Sequence, residues 1–315
     1  MDHTFSLAVH GGAGTMRRDA MTPVLEAAHR AGLRTALMAG HAVLAGGGTA
    51  LDAVTRTVMA LEDDPLFNAG LGAVFTAAGK LEMDAAIMDG RTRAAGAVAG
   101  MLGPRNPVLA ARAVMEHSGA VMLIGEGALA FCREQGVAFE DAAYFHTERR
   151  WQALHTELDR RRRQAPDTRD DAARHGTVGA VARDAAGDLA AATSTGGMTA
   201  KRPGRVGDCP VIGAGTWAEN ASCAVSATGT GEVFIRHAAA HEIAARMRLG
   251  GQTLARAAGD VVAELGRDGG DGGLIAVAAD GAMALPFNCA GMYRGTIGPD
   301  GTARTAIYRG EPTAA

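Results

Sequence analysis

The chain of 315 residues carries 31 lysines and arginines against 34 aspartates and glutamates, which gives a formal net charge of -3. This near-balance offers no basic field for a nucleic acid. Hydrophobic residues make up 47% of the chain and charged residues 21%. The sequence therefore has enough apolar material for a sizeable core, which excludes a disordered protein.

The sequence shows no membrane, targeting or metal signal. No apolar run reaches the roughly 18 residues of a membrane span, and the start, Met1-Asp2-His3-Thr4, lacks the positive region of a signal peptide. The four cysteines form no C-x-x-C pair, which predicts buried free thiols rather than a zinc site or a disulfide framework. We therefore expect a cytoplasmic protein with a small-molecule partner and with neither a nucleic-acid nor a membrane partner.

The first half of the chain mixes strands and helices. A helix that begins at Thr49 is the clearest element, because the threonine can cap it and Leu51, Val54 and Val58 follow at helical spacing until Pro65 forbids continuation. Apolar runs and glycine boundaries predict the other elements: strands at 5–9, 73–76, 81–87, 94–101 and 121–124, and helices at 23–44 and 106–116.

Residues 149–174 differ sharply in composition from their surroundings. Four successive arginines, Arg160 to Arg163, are followed by acidic residues, so the segment predicts a solvated linker rather than a nucleic-acid site. Further elements are predicted beyond it: strands at 178–183, 189–193, 211–215, 222–227, 274–277, 282–287 and 303–308, and helices at 232–247 and 253–265. A polar segment thus interrupts one α/β pattern, which suits a cleaved precursor better than two domains.

Familiar signatures of other functions are weak in this chain. Gly125-Glu126-Gly127 follows a predicted strand as a dinucleotide-binding turn would, but the expected βαβ unit of ~30 residues with its acidic residue is missing. The glycine-rich segment from His10 to Gly14 is similar to the oxyanion loop of α/β-hydrolases, yet no G-x-S-x-G elbow follows it. The sequence also lacks a P-loop and an H-E-x-x-H motif.

Threonines beside glycines recur after the linker. The blocks are Gly176-Thr177-Val178-Gly179, Thr193-Ser194-Thr195-Gly196-Gly197-Met198 and Thr228-Gly229-Thr230-Gly231-Glu232. With them stand Pro203-Gly204-Arg205-Val206-Gly207-Asp208, the segment from His10 to Gly14, and Leu66-Phe67-Asn68-Ala69-Gly70. Together these motifs resemble the plant-type (class 3) L-asparaginases and isoaspartyl aminopeptidases, of the N-terminal nucleophile hydrolase superfamily, over nearly the whole chain.

The first threonine block also has a chemical rationale of its own. A threonine hydroxyl is a poor nucleophile until a base takes its proton, and an α-amino group, with a pKa of ~7.7–8.0, suits that task at neutral pH. Cutting the bond between Gly176 and Thr177 would place such an amine on the same residue as the hydroxyl. A glycine before the scissile bond also permits a strained backbone.

The resemblance implies the catalytic roles. Thr177 is expected to act as the nucleophile and, through its amine, as the base, with Thr195 as its hydroxyl partner. Thr228 and Gly229 are expected to form the oxyanion hole, because donors aimed at the developing negative charge stabilise the transition state. Self-cleavage is expected between Gly176 and Thr177.

The resemblance also implies the substrate contacts. Arg205 would bind the α-carboxylate of the substrate, since a guanidinium can grip a carboxylate with two parallel hydrogen bonds. Asp208 and Gly231 would bind the α-ammonium group, and Asn68 would contact the substrate near the nucleophile.

The function implied is hydrolysis of L-asparagine and β-aspartyl dipeptides to L-aspartate plus ammonia or an amino acid. Trp217, where the family often has a smaller aromatic residue, and Asp271, within a glycine-rich run, depart from the family pattern. Both bear on the leaving-group side of the pocket. The alternatives are a glycosylasparaginase-like amidase of the same superfamily and an inactive homologue that serves as a binding protein.

The fold implied is a four-layer αββα sandwich that forms one structural domain. Residues 1–176 would become the α chain, ending in a mobile linker at about 155–176, and residues 177–315 the β chain. The mature protein would be a dimer of α/β heterodimers. No catalytic cofactor is implied, but a structural sodium ion is, held by the main-chain carbonyls of Leu61, Glu62, Asp64, Phe67, Ala69 and Leu71.

Overall fold

The computed structural model of the protein describes residues 5–14, 16, 18, 21–165 and 176–313. The strands within these residues are β1 (Ser6–Gly14), β2 (Met83–Asp89), β3 (Ala95–Met101), β4 (Met122–Ile124), β5 (Val178–Arg183), β6 (Leu189–Thr195), β7 (Thr216–Ala218), β8 (Cys223–Gly229), β9 (Gly272–Ala278), β10 (Met283–Ala284), β11 (Gly291–Ile297) and β12 (Arg304–Tyr308).

Eight α-helices and a short 3₁₀ turn, Gly70–Gly72, complete the described secondary structure. The helices are α1 (Pro23–Ala45), α2 (Ala50–Glu62), α3 (Pro107–His117), α4 (Gly125–Glu134), α5 (Glu148–Arg162), α6 (Gly231–His237), α7 (Ala239–Gly250) and α8 (Leu254–Arg267).

The strands form two sheets. The larger sheet has the order β12-β11-β1-β5-β6-β2-β3-β4 and is antiparallel except for the β3–β4 pair. The smaller sheet has the order β10-β9-β8-β7 and is antiparallel throughout. Strand β5, which begins directly after Thr177, therefore lies in the middle of the larger sheet, between β1 and β6.

Three hydrophobic clusters define the layers. On β5, Val178, Ala180 and Ala182 face the cluster that helices α1, α2 and α3 cover, whereas Val181 faces Ile275 in the cluster between the sheets. A third cluster lies between the smaller sheet and helices α6, α7 and α8. Because side chains alternate between the faces of a strand, each sheet contributes to two cores. The predicted αββα sandwich is confirmed.

Helix α2 begins and ends where local chemistry requires. The hydroxyl of Thr49 accepts a hydrogen bond from the main-chain N–H of Asp52 at 3.1 Å, so the predicted cap is confirmed. The helix ends at its C-cap Asp63, two residues before Pro65. This places the chain that follows α2 beside the ends of the central strands.

The predicted linker begins later than its composition suggests. Helix α5 occupies Glu148–Arg162, so the prediction of a linker from residue 149, or from about 155, is wrong for this stretch. Arg160 and Arg161 contact Glu157 one helical turn earlier, at 2.7 and 2.6 Å, and Leu154 is buried. The basic run is therefore held in a helix by its own acidic neighbour and by an apolar anchor. The rest of the predicted linker, residues 166–175, lies outside the described residues.

Several elements of the second half differ from the sequence prediction. Residues 211–215 do not form a strand, and Thr216–Ala218 pairs with β8 instead. The helix predicted at 232–247 is divided in two, because Ala238 adopts a left-handed backbone with φ of 45°. Strand β11 was not predicted, since Gly291 and Gly295 weaken its strand pattern.

The cysteine prediction is confirmed. Cys132, Cys209, Cys223 and Cys289 are all buried free thiols. Within the described ranges, no helix is both long enough and apolar enough to cross a membrane.

Candidate active site

The ends of several strands bring the predicted catalytic residues together. Thr177 directly precedes β5, and Thr195 is the last residue of the neighbouring antiparallel strand β6, where Val178 pairs with Ser194. Thr228 and Gly229 end strand β8 of the other sheet. The candidate site therefore lies at the edge where the two sheets meet, and both sheets contribute side chains to it.

Thr177 and Thr195 form a direct hydroxyl pair. The Thr177 Oγ1 donates a hydrogen bond to the Thr195 Oγ1 at 3.2 Å, and the same oxygen accepts the main-chain N–H of Gly197 at 2.9 Å. Both threonines are buried. The second donor fixes the orientation of the Thr195 oxygen, so the Thr177 hydroxyl is held in one direction before any reaction begins.

The residue before Thr177 has little room for a side chain. Gly176 has φ of 156°, and a Cβ on it would lie 3.2 Å from the Cβ of Asn68. From the other side, a Cβ on Gly12 would lie 2.7 Å from the Gly176 Cα. A side chain on Gly12 would overlap the main chain of Gly176, and one on Gly176 would press against Asn68 in a left-handed conformation, which explains the glycine at each position.

Asn68 connects the segments around Gly176. Its Nδ2 donates to the Gly197 carbonyl at 2.7 Å, and its Oδ1 accepts the N–H of Val74 at 3.0 Å. The side chain therefore lies near the nucleophile, as predicted, but both of its ends bind main-chain atoms. A direct contact of Asn68 with substrate stays a prediction.

Thr177 opens onto a small pocket, which we call the nucleophile pocket. It is lined by Thr177, Thr195, Gly197, Met198, Arg205, Gly207, Asp208 and Gly229. Gly231 lies at its back, because a Cβ there would lie 2.8 Å from the Asp208 Oδ1 and 3.1 Å from the Arg205 Nη2. The residues predicted from the substrate motifs are thus brought together around the two threonines.

Asp208 is a buried carboxylate with an unused oxygen. It is 3% exposed, and its Oδ2 has no hydrogen-bond partner among the described residues. Burial raises the pKa of the Asp208 carboxyl to about 7, although the nearby charge of Arg205 lowers it. A carboxylate kept dry beside a pocket is suited to a cationic ligand that supplies the missing partner.

Arg205 is held by Glu232, an acidic residue for which the sequence predicted no role. Its Nε donates to the Glu232 Oε1 at 2.9 Å and its Nη2 to the Glu232 Oε2 at 3.0 Å. The remaining corner of the guanidinium, Nη1, lies against Gly207, where a Cβ would be 3.0 Å away. Glu232 therefore fixes the plane of the guanidinium at the pocket wall.

The predicted oxyanion residues are placed at the end of β8. Thr228 is fully buried, and its hydroxyl has no hydrogen-bond partner within the described part of the chain. Gly229 has φ of 153°, and a Cβ on it would lie 2.3 Å from the Asp271 carbonyl. The Thr228 hydroxyl is thus an unused donor, and Asp271 contributes its main chain to the tight backbone beside it.

The other departure from the family pattern lies away from this pocket. Trp217 packs edge-on against His241, with ring centroids 4.8 Å apart, and is not among the residues that line the nucleophile pocket. Its size therefore does not narrow the nucleophile pocket directly.

A chain of hydrogen bonds that sequence analysis did not predict ends on Thr177. The His10 Nδ1 lies 3.0 Å from the Thr177 carbonyl oxygen, and the His10 Nε2 lies 2.9 Å from the Ser226 hydroxyl. The Ser226 and Thr193 hydroxyls are 2.7 Å apart, and the Thr216 hydroxyl donates to Thr193 at 2.7 Å. We call these four side chains the hydroxyl relay.

The direction of the hydroxyl relay follows from its last acceptor. The Thr177 carbonyl can only accept, so the His10 Nδ1 carries the proton. Burial lowers the pKa of His10 to about 3, so the ring is neutral and its Nε2 must accept from Ser226. Ser226 then accepts from Thr193, and every donor in the relay points toward Thr177.

The hydroxyl relay crosses between the sheets. His10 and Thr193 belong to the larger sheet, and Ser226 and Thr216 to the smaller one. A Cβ on Gly179 would lie 2.0 Å from the Ser226 Oγ and 2.6 Å from the His10 Nε2. The glycine of the Gly-Thr-Val-Gly motif is therefore needed because a hydrogen bond passes directly over it.

The Ser226→Ala variant tests the energetic role of the hydroxyl relay. The buried Nε2 of His10 would lose its donor, so we expect a loss of about 1–3 kcal/mol in the free energy of unfolding. Ser222→Ala is the matched control: it removes a hydroxyl that donates to Glu219, which keeps two arginine partners, and should cost less than about 1 kcal/mol. Chemical denaturation measures both, and equal losses would contradict the relay.

Comparison with known proteins finds related sequences along nearly the whole chain. A family model described as Asparaginase matches residues 3–307. An isoaspartyl peptidase of Salmonella typhimurium is 52% identical over 309 residues, which cover 96% of this chain and 98% of the relative. An isoaspartyl peptidase/L-asparaginase of Xenopus laevis is 38% identical, covering 97% and 96%.

A third relative comes from an archaeon. A plant-type L-asparaginase of Pyrococcus abyssi is 44% identical over 257 residues, which cover 78% of this chain and 80% of the relative. The chain therefore belongs to the asparaginase family, within the superfamily of N-terminal nucleophile hydrolases.

Proposed function

We propose that this protein cuts itself before Thr177 and then hydrolyses L-asparagine and β-aspartyl dipeptides to L-aspartate plus ammonia or an amino acid. The observation that carries the proposal is the hydroxyl pair of Thr177 and Thr195, which shares one small pocket with the Arg205 guanidinium and with Asp208, whose Oδ2 has no partner among the described residues. The names of the relatives, isoaspartyl peptidase and L-asparaginase, agree with it.

Self-cleavage requires no group beyond those at the site. The Thr177 hydroxyl attacks the Gly176 carbonyl carbon, the peptide C–N bond breaks, and the acyl group moves from nitrogen to oxygen. Water then hydrolyses the resulting ester, which leaves a carboxylate on Gly176 and a free α-amine on Thr177. The close passage of Gly12 and the strained φ of Gly176 hold the scissile peptide in a tight conformation that cleavage relieves.

The mature nucleophile then acts on a side-chain amide. The free amine of Thr177 takes the proton of its hydroxyl, which attacks the β-carbonyl of the substrate. The Thr228 hydroxyl and the Gly229 N–H stabilise the oxyanion, and ammonia or an amino acid leaves with the proton. Water releases aspartate from the acyl-enzyme and restores the threonine.

The charges of the nucleophile pocket select an aspartyl group. Asp208 supplies the counter-charge for the α-ammonium, which in turn gives its buried Oδ2 a partner. Arg205, oriented by Glu232, binds the α-carboxylate.

Hydrolysis of a glycosylated asparagine at a comparable rate would favour the glycosylasparaginase-like alternative. The Thr177–Thr195 hydroxyl pair disfavours an inactive binding protein.

We also propose a structural sodium ion at the loop after α2. The carbonyls of Asp64, Phe67 and Ala69 each accept one main-chain N–H, at 3.1–3.2 Å, and so keep a second lone pair for a cation. With the carbonyls of Leu61, Glu62 and Leu71, these oxygens would hold the ion. A melting temperature that rises in sodium chloride but not in choline chloride would support the proposal; equal values would contradict it.

We further propose that the mature protein is a dimer of α/β heterodimers. The edge strand β4 and its neighbour leave Val121, Met122 and Ile124 exposed, an apolar edge that association can cover. Light scattering should give about twice the chain mass of 32.1 kDa, and a monomeric mass would contradict the proposal.

A cytoplasmic location is also proposed, supported by the four free thiols and checked by cell fractionation.

Self-cleavage predicts the fate of Thr177 variants. Purified wild type should yield two fragments, the second beginning at Thr177, because only this hydroxyl adjoins the Gly176 carbonyl. Thr177→Ala should remain intact, while Thr177→Ser keeps a hydroxyl and should cleave. Intact mass and N-terminal sequencing measure this, with Thr156→Ala on the exposed face of α5 as the control. A different first residue in the second fragment would refute the assignment.

The raised pKa of Asp208 predicts a pH dependence. In the free enzyme both Asp208 and the Thr177 amine must be deprotonated to act, so log kcat/KM should approach a slope of about 2 below pH ~7. Asp208→Asn removes one of the two groups, so its slope should approach about 1, with a raised KM. Asp260→Asn, on the exposed surface, is the control. An unchanged slope in Asp208→Asn would remove Asp208 from substrate binding.

A further inference from the structure

A second pocket lies on the other side of the scissile bond. We call it the Gly176 pocket; its lining residues are Gly11, Gly12, Met16, His29, Leu66, Asn68, Arg149, Arg150, Gly176 and Tyr293. Two arginines and no acidic residue belong to this set. The nucleophile pocket, by contrast, combines an arginine with an aspartate. The two pockets therefore suit different charges.

Arg150 is a buried cation that no carboxylate compensates. It is 3% exposed, and no carboxylate oxygen of the described residues lies within 4.0 Å of it. Its Nε donates to the Gly72 carbonyl at 2.7 Å and its Nη2 to the Leu66 carbonyl at 3.3 Å, both of them neutral acceptors. Burial, together with the charge of Arg149, lowers the pKa of Arg150 to about 9. An anion bound in the pocket would offset the free-energy cost of burying this charge.

The other residues that line the Gly176 pocket add no negative charge to offset the two arginines. The rings of His29 and Tyr293 stack with centroids 4.4 Å apart, and burial lowers the pKa of His29 to about 4, so its ring is neutral at pH 7. The stacked pair offers a flat apolar surface, and Gly11 and Gly12 leave main chain without side chains opposite it. The pocket thus combines a cationic group, which can bind the carboxylate of an amino acid, with an apolar wall, which can contact its side chain.

The two pockets adjoin at the scissile bond. Thr177 lines the nucleophile pocket, and Gly176 lines the Gly176 pocket. Self-cleavage removes the covalent tie that keeps Gly176 there. A substrate with its aspartyl end on Arg205 and Asp208 and its β-carbonyl at Thr177 fills the nucleophile pocket, so the adjoining Gly176 pocket is the space that its leaving group can enter.

We propose that the Gly176 pocket binds the leaving amino acid of β-aspartyl dipeptides and that Arg150, assisted by Arg149, reads its free α-carboxylate. This inference rests on the proposed function. L-Asparagine releases only ammonia and makes no use of the Gly176 pocket. Arg150 is therefore a specificity-determining residue that favours dipeptides ending in a free carboxylate over the same compounds with a blocked one.

The test compares three substrates of the mature wild-type enzyme. These are β-aspartyl-leucine, β-aspartyl-leucinamide, whose terminal carboxylate is an amide, and L-asparagine. Because charge-assisted hydrogen bonds are stronger than neutral ones, kcat/KM should be about 10-fold or more higher for the free acid than for the amide. Equal values would overturn the proposal. Failure to hydrolyse any of the three would instead overturn the proposed function itself.

Two variants assign the preference to the arginines. Arg150→Gln, which keeps a donor for the Gly72 carbonyl, should reduce the preference for the free acid over the amide to less than about 3-fold. Arg149→Gln alters an exposed side chain and should reduce the preference even if Arg150→Gln does not mature. Arg162→Gln, exposed on the same helix α5, is the control. A preference that survives in the arginine variants would overturn the assignment to these residues.

Discussion

The hydrogen bond from His10 to the Thr177 carbonyl is the constraint on which the site depends. Because a carbonyl only accepts, this bond sets the tautomer of the histidine and, through it, the orientation of three hydroxyls on three further strands. Side chains of both sheets are thereby tied to the main chain of one residue. The hydroxyl of Thr177, the proposed nucleophile, remains outside this relay and is bound to Thr195, so fixing the backbone leaves that hydroxyl available.

Charge is distributed around the nucleophile at some cost to the folded state. Among the described residues, one buried oxygen of Asp208 and the hydroxyl of Thr228 have no hydrogen-bond partner, and Arg150 donates to neutral carbonyls. In a protein without a ligand, each such group lowers stability, because water no longer solvates it and no partner replaces the water. Their concentration on the two sides of one bond indicates a surface organised for a substrate rather than for the apo protein.

The sequence pattern predicted a mixed α/β chain, and the family resemblance carried by the threonine–glycine blocks implied the four layers and the candidate site residues. The threonine–glycine blocks fall at strand ends, where glycine is required by close backbone passage and threonine by chemistry, so both signals are local. The hydroxyl relay, the Glu232 contact to Arg205 and the uncompensated Arg150 depend on residues far apart in the chain, and no local pattern encodes them. The composition of residues 149–162 did not predict α5, because Arg160 and Arg161 of the basic run pair with Glu157 within the helix.

The close passage of Gly12 and Gly176 has a consequence for the timing of activity. Under the proposed function, Gly176 lies beside the proposed nucleophile before cleavage, and Thr177 has no free amine. One covalent event supplies the base and vacates that side together, so no partly active state lies between precursor and enzyme. Activity should then appear as a first-order process whose half-time is independent of protein concentration. Each molecule would activate once, at a time after folding that depends only on its own cleavage rate.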